Sequence, residues 1–489
     1  MTYSQKHPNP RVIVVGAGIG GLMMGLLLGK AGITYQIFER SSNVKALGAL
    51  MSINANILPV FEQLGLLAEV QNISLRNHGS SLFNSKMKEI GKVGIPNYRE
   101  LTGYDFLVFS RPELYDILLR QIPKDRISFN KRILSMRRSV GGTRIYCSDN
   151  SIYEGDIVIG ADGAYSAVRH NMHKMMKADE GVAPVQDVKD MAVPYMCMVG
   201  TTGPMDPVKY PQLLDPLNHL HHVVGTDIHS WTVITIPKNR FCWSVMVQVK
   251  DQAEAKEQRF RNSEWGPEAN NPLIDEVKDF PITFGGTLGD VIEATPKDRI
   301  SKVMLEEKLF ETWYYRNVVL IGDACHKMLP TSGQGAMNAM QDAVVLANCL
   351  YDLKDLSPES LTTAFEDYKS QRYKEAKKQV ANSKLNARVS SGQTFVEKIV
   401  RHLVLNFVPT SVKARQFSKA AAYRPQVAFL PLVTERGSIK ALPIRPSKRA
   451  MYEEMVLREQ RLRVTPYGPS QASCTSSAGG SSSSVNEET

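Results

Sequence analysis

Three short runs of consecutive apolar residues along this chain each end at a glycine. They are VIVV from residue 12, IVI from residue 157 and VVLI from residue 318. Apolar runs without alternating polar positions are typical of strands that are buried on both faces, as in a parallel sheet. The segment TYQIFER, residues 34–40, predicts a further strand, so residues 11–40 indicate a strand, a tight turn, a helix and a second strand. A sheet of this kind binds its ligand at the carboxyl ends of its strands.

The pattern changes between residues 185 and 300, where apolar and polar positions alternate within short segments bounded by turn residues. The segment SWTVITIPKNRFCWSVMVQV at 230–249 is an example, and such alternation predicts an antiparallel sheet. The predicted fold class is therefore α/β. Its parts are a Rossmann-like domain (1–184 and 301–350), an inserted, mostly antiparallel β-sheet substrate domain (185–300), a helical C-terminal region (351–465) and a low-complexity tail expected to be disordered (466–489).

One segment near the C-terminus, TFVEKIVRHLVLNFV at 394–408, has the spacing of an amphipathic helix. Its apolar residues lie at positions 395, 396, 399, 400, 403, 404, 407 and 408. The segment is too short and too charged to span a bilayer. We expect its apolar face to pack in the protein core, and contact with a membrane surface is the alternative.

Composition narrows the class of protein. The chain has 489 residues, a formal net charge of +10 and six cysteines that show no paired short spacing. A disulfide framework or CxxC metal site is therefore not indicated, and the expected location is intracellular, either cytoplasmic or peripherally membrane-associated. The sequence MTYSQKHPNP at the start lacks the order of a secretory signal. The basic stretch 369–388 is accompanied by no nucleic-acid-binding motif, so we expect it to be a solvated helix face.

The glycines Gly16, Gly18 and Gly21 form a GxGxxG motif between the first predicted strand and its helix. Gly16 allows the tight turn, Gly18 lets the backbone approach a pyrophosphate, and Gly21 lets the helix pack on the strand. Glu39, at the end of the second strand, is positioned to accept hydrogen bonds from a ribose hydroxyl. The motif predicts a dinucleotide, and both NAD and FAD fit it. A second GxGxxG after a strand is absent from the sequence, so we expect no separate NAD(P)H-binding domain.

The stretch GDACHKMLPTSGQGAMNAMQDA, residues 322–343, brings Asp323, Cys325 and His326 close together in sequence. A metal site would need further ligands at suitable spacing, so none is predicted. A cysteine nucleophile would need a cause for thiolate formation, which adjacency to histidine does not supply.

This stretch and GADGAYSAVR, residues 160–169, resemble the two downstream signatures of FAD-dependent single-component monooxygenases of the aromatic-hydroxylase type. The resemblance covers residues 11–350 and implies FAD as cofactor, with NAD(P)H and O2 as co-substrates and with oxidation at the flavin C4a carbon. It makes the Rossmann-like part an FAD-binding domain. The residues that it implies around FAD are Gly48 and Ala49 on the adenosine side, Arg111, Asp162 with Arg169 nearby, Asp323 on the ribityl chain, and Pro330, Gly335, Ala336 and Asn338 beside the flavin ring.

The segment AAYRPQVAFLPLVTERGSIKALP, residues 421–443, is similar to a narrower group, the fungal paxilline-type and meroterpenoid-type epoxidases. This resemblance implies epoxidation of an olefin in the prenyl chain of a terpenoid or meroterpenoid intermediate in secondary metabolism. Many relatives have a Tyr-Arg pair that begins a strand of the substrate sheet, whereas here Tyr195 is followed by Met196. This departure disfavours activation of a phenolate and favours an uncharged alkene. The chemistry is expected at the flavin C4a carbon and no catalytic side chain is identified, although Tyr195 is a candidate.

Two alternatives remain open for the activity, namely an aromatic hydroxylase of the salicylate type and a flavin-binding protein without oxygenase activity. The substrate would be a small prenylated or aromatic molecule, and no nucleic acid is expected as a partner. An apolar slot for a prenyl chain could be lined by Met196, Met198, Trp231 and Trp243. Methionine and aromatic residues at strand spacing are mostly packing residues, so these four could instead simply fill the core.

Overall fold

The computed structural model describes residues 8–42, 50–94, 97–181, 184–225, 227–249, 267–392 and 394–464. The predictions for Gly48, Ala49 and the tail 466–489 lie outside these described residues. The chain divides into two compact units, Met1–Ser447 and Lys448–Thr489.

The strands, in chain order, are β1 (Val12–Val15), β2 (Tyr35–Phe38), β3 (Leu50–Ile53), β4 (Leu75–Asn84), β5 (Glu89–Val93), β6 (Leu107–Ser110), β7 (Ile127–Ser128), β8 (Ile133–Ser139), β9 (Gly142–Cys147), β10 (Ile152–Gly155), β11 (Ile157–Gly160), β12 (Ala192–Thr201), β13 (Leu217–Val224), β14 (His229–Ile236), β15 (Arg240–Gln248), β16 (Ser301–Leu309), β17 (Tyr314–Tyr315), β18 (Val318–Leu320) and β19 (His326–Lys327). The α-helices are α1 (Ile19–Lys30), α2 (Leu58–Gln63), α3 (Leu67–Asn72), α4 (Tyr98–Thr102), α5 (Arg111–Arg120), α6 (Ala167–Glu180), α7 (Val185–Val188), α8 (Asn271–Val277), α9 (Leu288–Glu293), α10 (Gly335–Tyr351), α11 (Pro358–Ser391), α12 (Phe395–Asn406), α13 (Thr410–Ala422) and α14 (Lys448–Val464).

The continuous apolar runs form the centre of a six-stranded sheet. Its strand order is β17-β18-β11-β1-β2-β7, and all of its pairings are parallel except that of β17 with β18. Every residue of β1, β11 and β18 is buried, as expected for strands covered on both faces. The parallel sheet predicted from the sequence is therefore confirmed. A smaller antiparallel sheet has the order β10-β9-β8.

A second large sheet has the order β19-β16-β12-β15-β14-β13-β4-β6-β3, and β5 pairs with β4. It is antiparallel except where β13 lies parallel to β4. The antiparallel texture predicted for 185–300 is confirmed, and strands from before and after that range, β3 to β6 and β16, belong to the same sheet. The division into domains stays a prediction, because this sheet crosses the predicted boundaries on both sides.

The two faces of this sheet have different neighbours. Met198, Trp231 and Trp243 lie on one face, where a buried cluster joins them to Leu273 of α8 and Leu288 of α9. Both tryptophan rings donate hydrogen bonds within that cluster, from Trp231 Nε1 to Pro281 O (3.0 Å) and from Trp243 Nε1 to Thr295 Oγ1 (2.8 Å). Met196 packs against the same cluster. These side chains therefore fill the core rather than line an open slot.

The opposite face lies beneath the long helix α11. Tyr195, Cys197 and Met246 form a buried cluster with Leu329, which directly precedes Pro330, and with Ala387 of α11. Paired positions of adjacent strands share one face of a sheet, and the row that runs from Val199 through β15 and β14 to His222 is part of this face. His222 Nε2 contacts Ser390 O of α11 at 2.8 Å. This face therefore borders the loop in which flavin-ring residues are predicted.

The expectation that the amphipathic segment 394–408 packs in the core is wrong. The predicted helix is present as α12, but Phe395, Val396, Ile399, Leu403 and Phe407 are exposed. Polar contacts hold the other side of the helix against neighbouring segments of the same unit, which leaves its apolar stripe at the surface. Among the described helices, each is too short or too polar to cross a bilayer.

In the second unit, α14 contains a hydrogen bond between side chains one turn apart, from Arg449 Nε to Glu453 Oε1 at 2.8 Å.

Candidate active site

The turn between β1 and α1 has the geometry of a phosphate cradle. Gly16 has a φ of +103°, and a Cβ at this position would lie 2.5 Å from Ala161 O. A Cβ on Gly21 would lie 1.9 Å from Gly16 O, which is why the helix can pack this closely only with glycine there. A Cβ on Gly18, by contrast, would meet no described atom within 4 Å. The first turn of α1 contains only glycine and apolar residues. The first N–H groups of a helix lack carbonyl acceptors within it and could bind a phosphate here.

Glu39 is fixed beside this turn by two backbone donors. Ala17 N donates to Glu39 Oε2 at 2.8 Å, and Ser41 N donates to Glu39 Oε1 at 2.9 Å. The side chain is buried. Each carboxylate oxygen has more than one lone pair, so acceptor capacity remains for the hydroxyl groups of a ribose.

Asp323 and Arg111, which are far apart in sequence, come within electrostatic reach of each other. Asp323 lies in the turn Gly322–Ala324 after β18, and Arg111 begins α5. Burial opposes ionisation of Asp323, but Lys327, His326 and Arg111 together keep its pKa below the ordinary value. Lys327 Nζ donates to Asp323 Oδ2 at 2.7 Å. Burial lowers the pKa of the Arg111 guanidinium, and the Asp323 carboxylate opposes that change.

The loop from Pro330 leads into a second helix N-terminus. The 3-10 turn Pro330–Ser332 is followed by Gly333, which has a φ of +64° and at which a Cβ would lie 2.6 Å from Ser52 Oγ. Helix α10 begins at Gly335 with Ala336, Met337 and Asn338 in its first turn, a turn without acidic residues. Its N–H groups could therefore stabilise a negatively charged ligand.

The two helix N-termini lie close to each other because small residues separate their helices. A Cβ on Gly20 of α1 would lie 3.1 Å from Ala339 Cβ of α10, and a Cβ on Gly322 would lie 2.9 Å from the same atom. The phosphate cradle, the Asp323 turn and the α10 N-terminus thus form one continuous region.

Asp162 and Arg169 support this region from the α6 side. Asp162 Oδ2 accepts a hydrogen bond from Val168 N at 3.1 Å, near the start of α6. The Arg169 guanidinium donates to Ala164 O and to Ala324 O, each at 2.7 Å, and so connects the turn after β11 to the Asp323 turn. In these positions both side chains shape the backbone, and direct contact of Asp162 with a cofactor stays a prediction.

A buried ionic network lies directly behind the Asp323 turn. Asp342 Oδ2 accepts from Gly322 N at 2.8 Å and lies 2.6 Å from His326 Nε2, while Asp342 Oδ1 accepts from Arg372 Nε of α11 at 2.7 Å. Burial disfavours the Asp342 carboxylate, but His326 and Arg372 keep its pKa below the ordinary value. Asp342 and Arg372 have no sequence signal as site residues, because nothing in their local spacing marks them as partners of His326.

Potential metal-ligating atoms of Cys325, His326 and Asp342 lie within 4.8 Å of one another. The Asp342 carboxylate is already engaged by Arg372 and by Gly322 N. Burial raises the pKa of the Cys325 thiol well above its ordinary value, so the thiolate that a metal or a nucleophilic reaction requires is disfavoured. These three side chains are better explained as a support for the Asp323 turn.

Buried ionisable groups on the sheet face beneath α11 are held in their neutral forms. Burial raises the pKa of Tyr195, of Cys197 and of Cys242 to about 12 in each case. Burial lowers the pKa of His222 to about 4. Both ring nitrogens of His222 have partners, since Nδ1 lies 2.6 Å from Thr232 Oγ1 and Nε2 contacts Ser390 O.

The residues present fit FAD. The open space before Gly18 suits a pyrophosphate, the buried Glu39 carboxylate suits a ribose, and the acidic Asp323 turn and the α10 N-terminus follow in the order expected for an extended dinucleotide.

The model of a protein family described as "FAD binding domain" matches residues 9–204 and 222–383. The FAD-dependent monooxygenase atmM of Aspergillus flavus is 29% identical over 447 residues, which cover 87% of this chain and 88% of that protein. The FAD-dependent monooxygenase penM of Penicillium crustosum is 30% identical over 394 residues, which cover 76% of each chain.

Solved structures share the fold. Klebsiella pneumoniae HpxO complexed with FAD and uric acid has a TM-score of 0.69 at 20% identity, covering 87% of this chain and 100% of that chain. CtdE in complex with FAD and substrate 4 has a TM-score of 0.63 at 18% identity, covering 93% of this chain and 100% of that chain. At these identities the likeness shows the fold alone. The family match and the curated relatives go further: the chain belongs to the FAD-binding domain family and is an FAD-dependent monooxygenase.

Proposed function

We propose that this monooxygenase uses NAD(P)H and O2 to epoxidise an olefin in the prenyl chain of a terpenoid or meroterpenoid intermediate of fungal secondary metabolism. The observation that carries the proposal is the chemical character of the sheet face beneath α11, next to Leu329 and Pro330. Tyr195, Cys197 and Met246 pack with Leu329 and with Ala387 of α11, which gives this side of the sheet an apolar character. A prenyl chain is apolar and uncharged, and its oxidation requires no ionised form.

Hydroxylation of a phenol would benefit from a general base that removes the phenolic proton. At neutral pH, Tyr195 and the cysteines of this face hold their own protons, because burial raises each pKa to about 12. His222 is neutral, but its ring nitrogens are already hydrogen-bonded. These side chains therefore favour an olefin over a phenolate as the reacting group.

We assign the FAD-holding roles to residues along the region described above. Gly16, Gly18 and Gly21 would hold the pyrophosphate, Glu39 the adenosine ribose, and Arg111 and Asp323 the middle of the cofactor. Pro330, Gly335 and Ala336 would border the flavin ring. When bound and reduced, FAD supplies the activation of O2. The chain itself would orient the cofactor, exclude water beneath α11 and hold the olefin at the flavin side of the sheet.

The test compares a prenylated aromatic compound with the same compound carrying a saturated chain. With purified holoenzyme, we expect NAD(P)H consumption to depend on the olefin, and the product to contain one additional oxygen atom located in the side chain by mass spectrometry and NMR. Use of 18O2 would show that this oxygen comes from O2. Oxygen on the aromatic ring, with both compounds accepted equally, would contradict the proposal and indicate an aromatic hydroxylase.

The variant Tyr195→Phe distinguishes epoxidation of an olefin from hydroxylation of a phenol. Because the Tyr195 hydroxyl is protonated at neutral pH, removing it should change kcat by less than about twofold. A loss of about a hundredfold or more, with FAD still bound, would indicate that the hydroxyl takes part in proton transfer. Steady-state kinetics on the prenylated compound would measure the difference.

A further inference from the structure

Apolar side chains are exposed on α12 and at the start of α13, and we call this surface the 395–412 face. Phe395 and Phe407 are 79% and 66% exposed, and Ile399 and Leu403 are 44% and 49% exposed. Val396 and Val412 are exposed on the same two segments. Contiguous exposed apolar side chains of this size mark an interaction surface rather than an ordinary solvated one.

The helix that carries this face is firmly fixed on its other side. Thr394 and Glu397 form a capping box at the start of α12. Glu397 Oε2 also accepts from Gln248 Nε2 at 3.2 Å, at the end of β15. Arg401 is buried and donates from Nε to Val389 O at 2.7 Å, with a second bond to Gly392 O. The charged residues of α12 thus hold it in an orientation that keeps the apolar residues outside.

The charge around the 395–412 face is positive. Between residues 394 and 422 the sequence has five basic residues and one acidic residue, and the acidic one, Glu397, is buried. The exposed basic residues are Lys398, Lys413, Arg415 and Lys419. Apolar side chains surrounded by lysine and arginine complement the surface of an anionic bilayer, which offers hydrocarbon below a layer of negative headgroups. A second copy of this chain would bring the same positive charges face to face, which is unfavourable.

We propose that the 395–412 face docks the protein on the surface of an anionic lipid bilayer, with α12 lying in the interfacial plane. The face is connected to the candidate active site by short contacts. Gln248, which binds Glu397, pairs with Tyr195 across β15 and β12, and Ser390, near the end of α11, binds His222. Docking would therefore bring the substrate side of the sheet close to the bilayer, where a prenylated substrate dissolves. This last step rests on the proposed function, whereas docking itself does not.

The experiment is flotation of the full-length holoenzyme with vesicles of phosphatidylcholine alone and of phosphatidylcholine and phosphatidylserine in equal amounts. We expect binding to the mixed vesicles and much weaker binding to phosphatidylcholine alone. Ile399→Ser combined with Leu403→Ser should weaken binding about a hundredfold, because two apolar side chains lose their burial in the bilayer. Lys398→Gln combined with Arg415→Gln should weaken binding to the mixed vesicles about thirtyfold and leave binding to phosphatidylcholine unchanged.

Matched controls lie on other surfaces of the chain. Leu134→Ser replaces an exposed leucine of β8, and Lys124→Gln combined with Arg138→Gln removes two exposed charges; these variants should bind like the unaltered protein. The flavin absorbance of each variant would verify that it is folded.

Three results would overturn docking. They are failure of the unaltered holoenzyme to bind either vesicle, equal binding of the serine double variant, and a fall in oligomeric state caused by the serine substitutions without vesicles. The last would show that a second copy covers the face. A turnover assay with a detergent-solubilised prenylated compound measures epoxidation without vesicles and so distinguishes the two proposals. Turnover without vesicle binding would contradict docking alone, and vesicle binding without turnover would contradict epoxidation alone.

Discussion

Glu39 is the residue through which the glycine turn and the second strand meet. Its carboxylate accepts from Ala17 N and Ser41 N, so Glu39→Ala would remove both the ribose acceptor and the group that orders the turn. We expect the dissociation constant for FAD to rise about tenfold to a hundredfold, the cost of losing hydrogen bonds to a charged acceptor. Fluorescence titration of apoprotein with FAD would measure the change. Glu89→Ala, at an exposed glutamate of β5, is the control, and stoichiometric FAD retention by Glu39→Ala would remove the assigned role.

The lowered pKa of His222 makes the free energy of unfolding depend on pH. Its pKa is about 4 in the folded chain and 6.5 in the unfolded reference, so between these values the unfolded state binds more protons than the folded state. Stability should therefore fall as the pH falls from about 6.5 to 4, by at most about 1.4 kcal/mol per pH unit for each such histidine. Urea unfolding at several pH values would measure the slope. Because the pKa values of His173 and His221 are also lowered to about 4, His222→Gln should reduce the slope rather than abolish it. An unchanged slope would contradict the prediction.

At the scale of elements, Asp342 joins two helices to the Asp323 turn. Arg372 has no exposed side-chain surface, so Asp342→Asn would leave a buried guanidinium without its carboxylate. We expect the free energy of unfolding to fall by about 3 kcal/mol, with weaker FAD retention because Gly322 N loses an anionic acceptor. Combining Asp342→Asn with Arg372→Met removes both charges and should recover part of the stability in urea unfolding. If the single variant were as stable as the unaltered protein, the network would not support the turn.

Sequence patterns predicted the existence of several elements, but they did not predict the surroundings of each one. Continuous apolar runs identified β1, β11 and β18. A strand that is buried on both faces excludes polar side chains at every position, so its sequence is apolar throughout. Helical spacing identified α12 equally well, but the core position inferred for it was wrong. An apolar stripe requires only an apolar neighbour, and spacing does not distinguish the protein core from a partner or a bilayer.

At the scale of the whole molecule, what the sequence left undetermined were contacts between distant segments. Alternation in β12 and β15 predicted two faces, but only the assembled sheet reveals that Met198 and Trp243 pack on α8 and α9 while Tyr195 faces Leu329. The parallel pairing of β4 with β13 likewise has no local signal. The glycine motif and Glu39 were predictable because that half of the candidate site lies within residues 11–40, whereas Arg372 reaches Asp342 only through the packing of α11 on α10.

The proposed FAD-holding residues come from segments on both sides of the inserted strands, since Gly16 and Glu39 precede them and Asp323 and Gly335 follow them. A ligand that binds all of these segments stabilises their assembly by mass action, by about 2.7 kcal/mol at a hundredfold excess over its dissociation constant. Removing FAD should therefore lower the Tm of the protein by a few °C, because a given loss of free energy shifts the Tm less in a large domain than in a small one. Differential scanning calorimetry of holoprotein, apoprotein and apoprotein with FMN would measure this. FMN lacks the adenosine that Glu39 would bind, so it should restore less of the Tm than FAD does. Equal restoration by both would show that the turn at Gly16 and Glu39 contributes little to holding the cofactor.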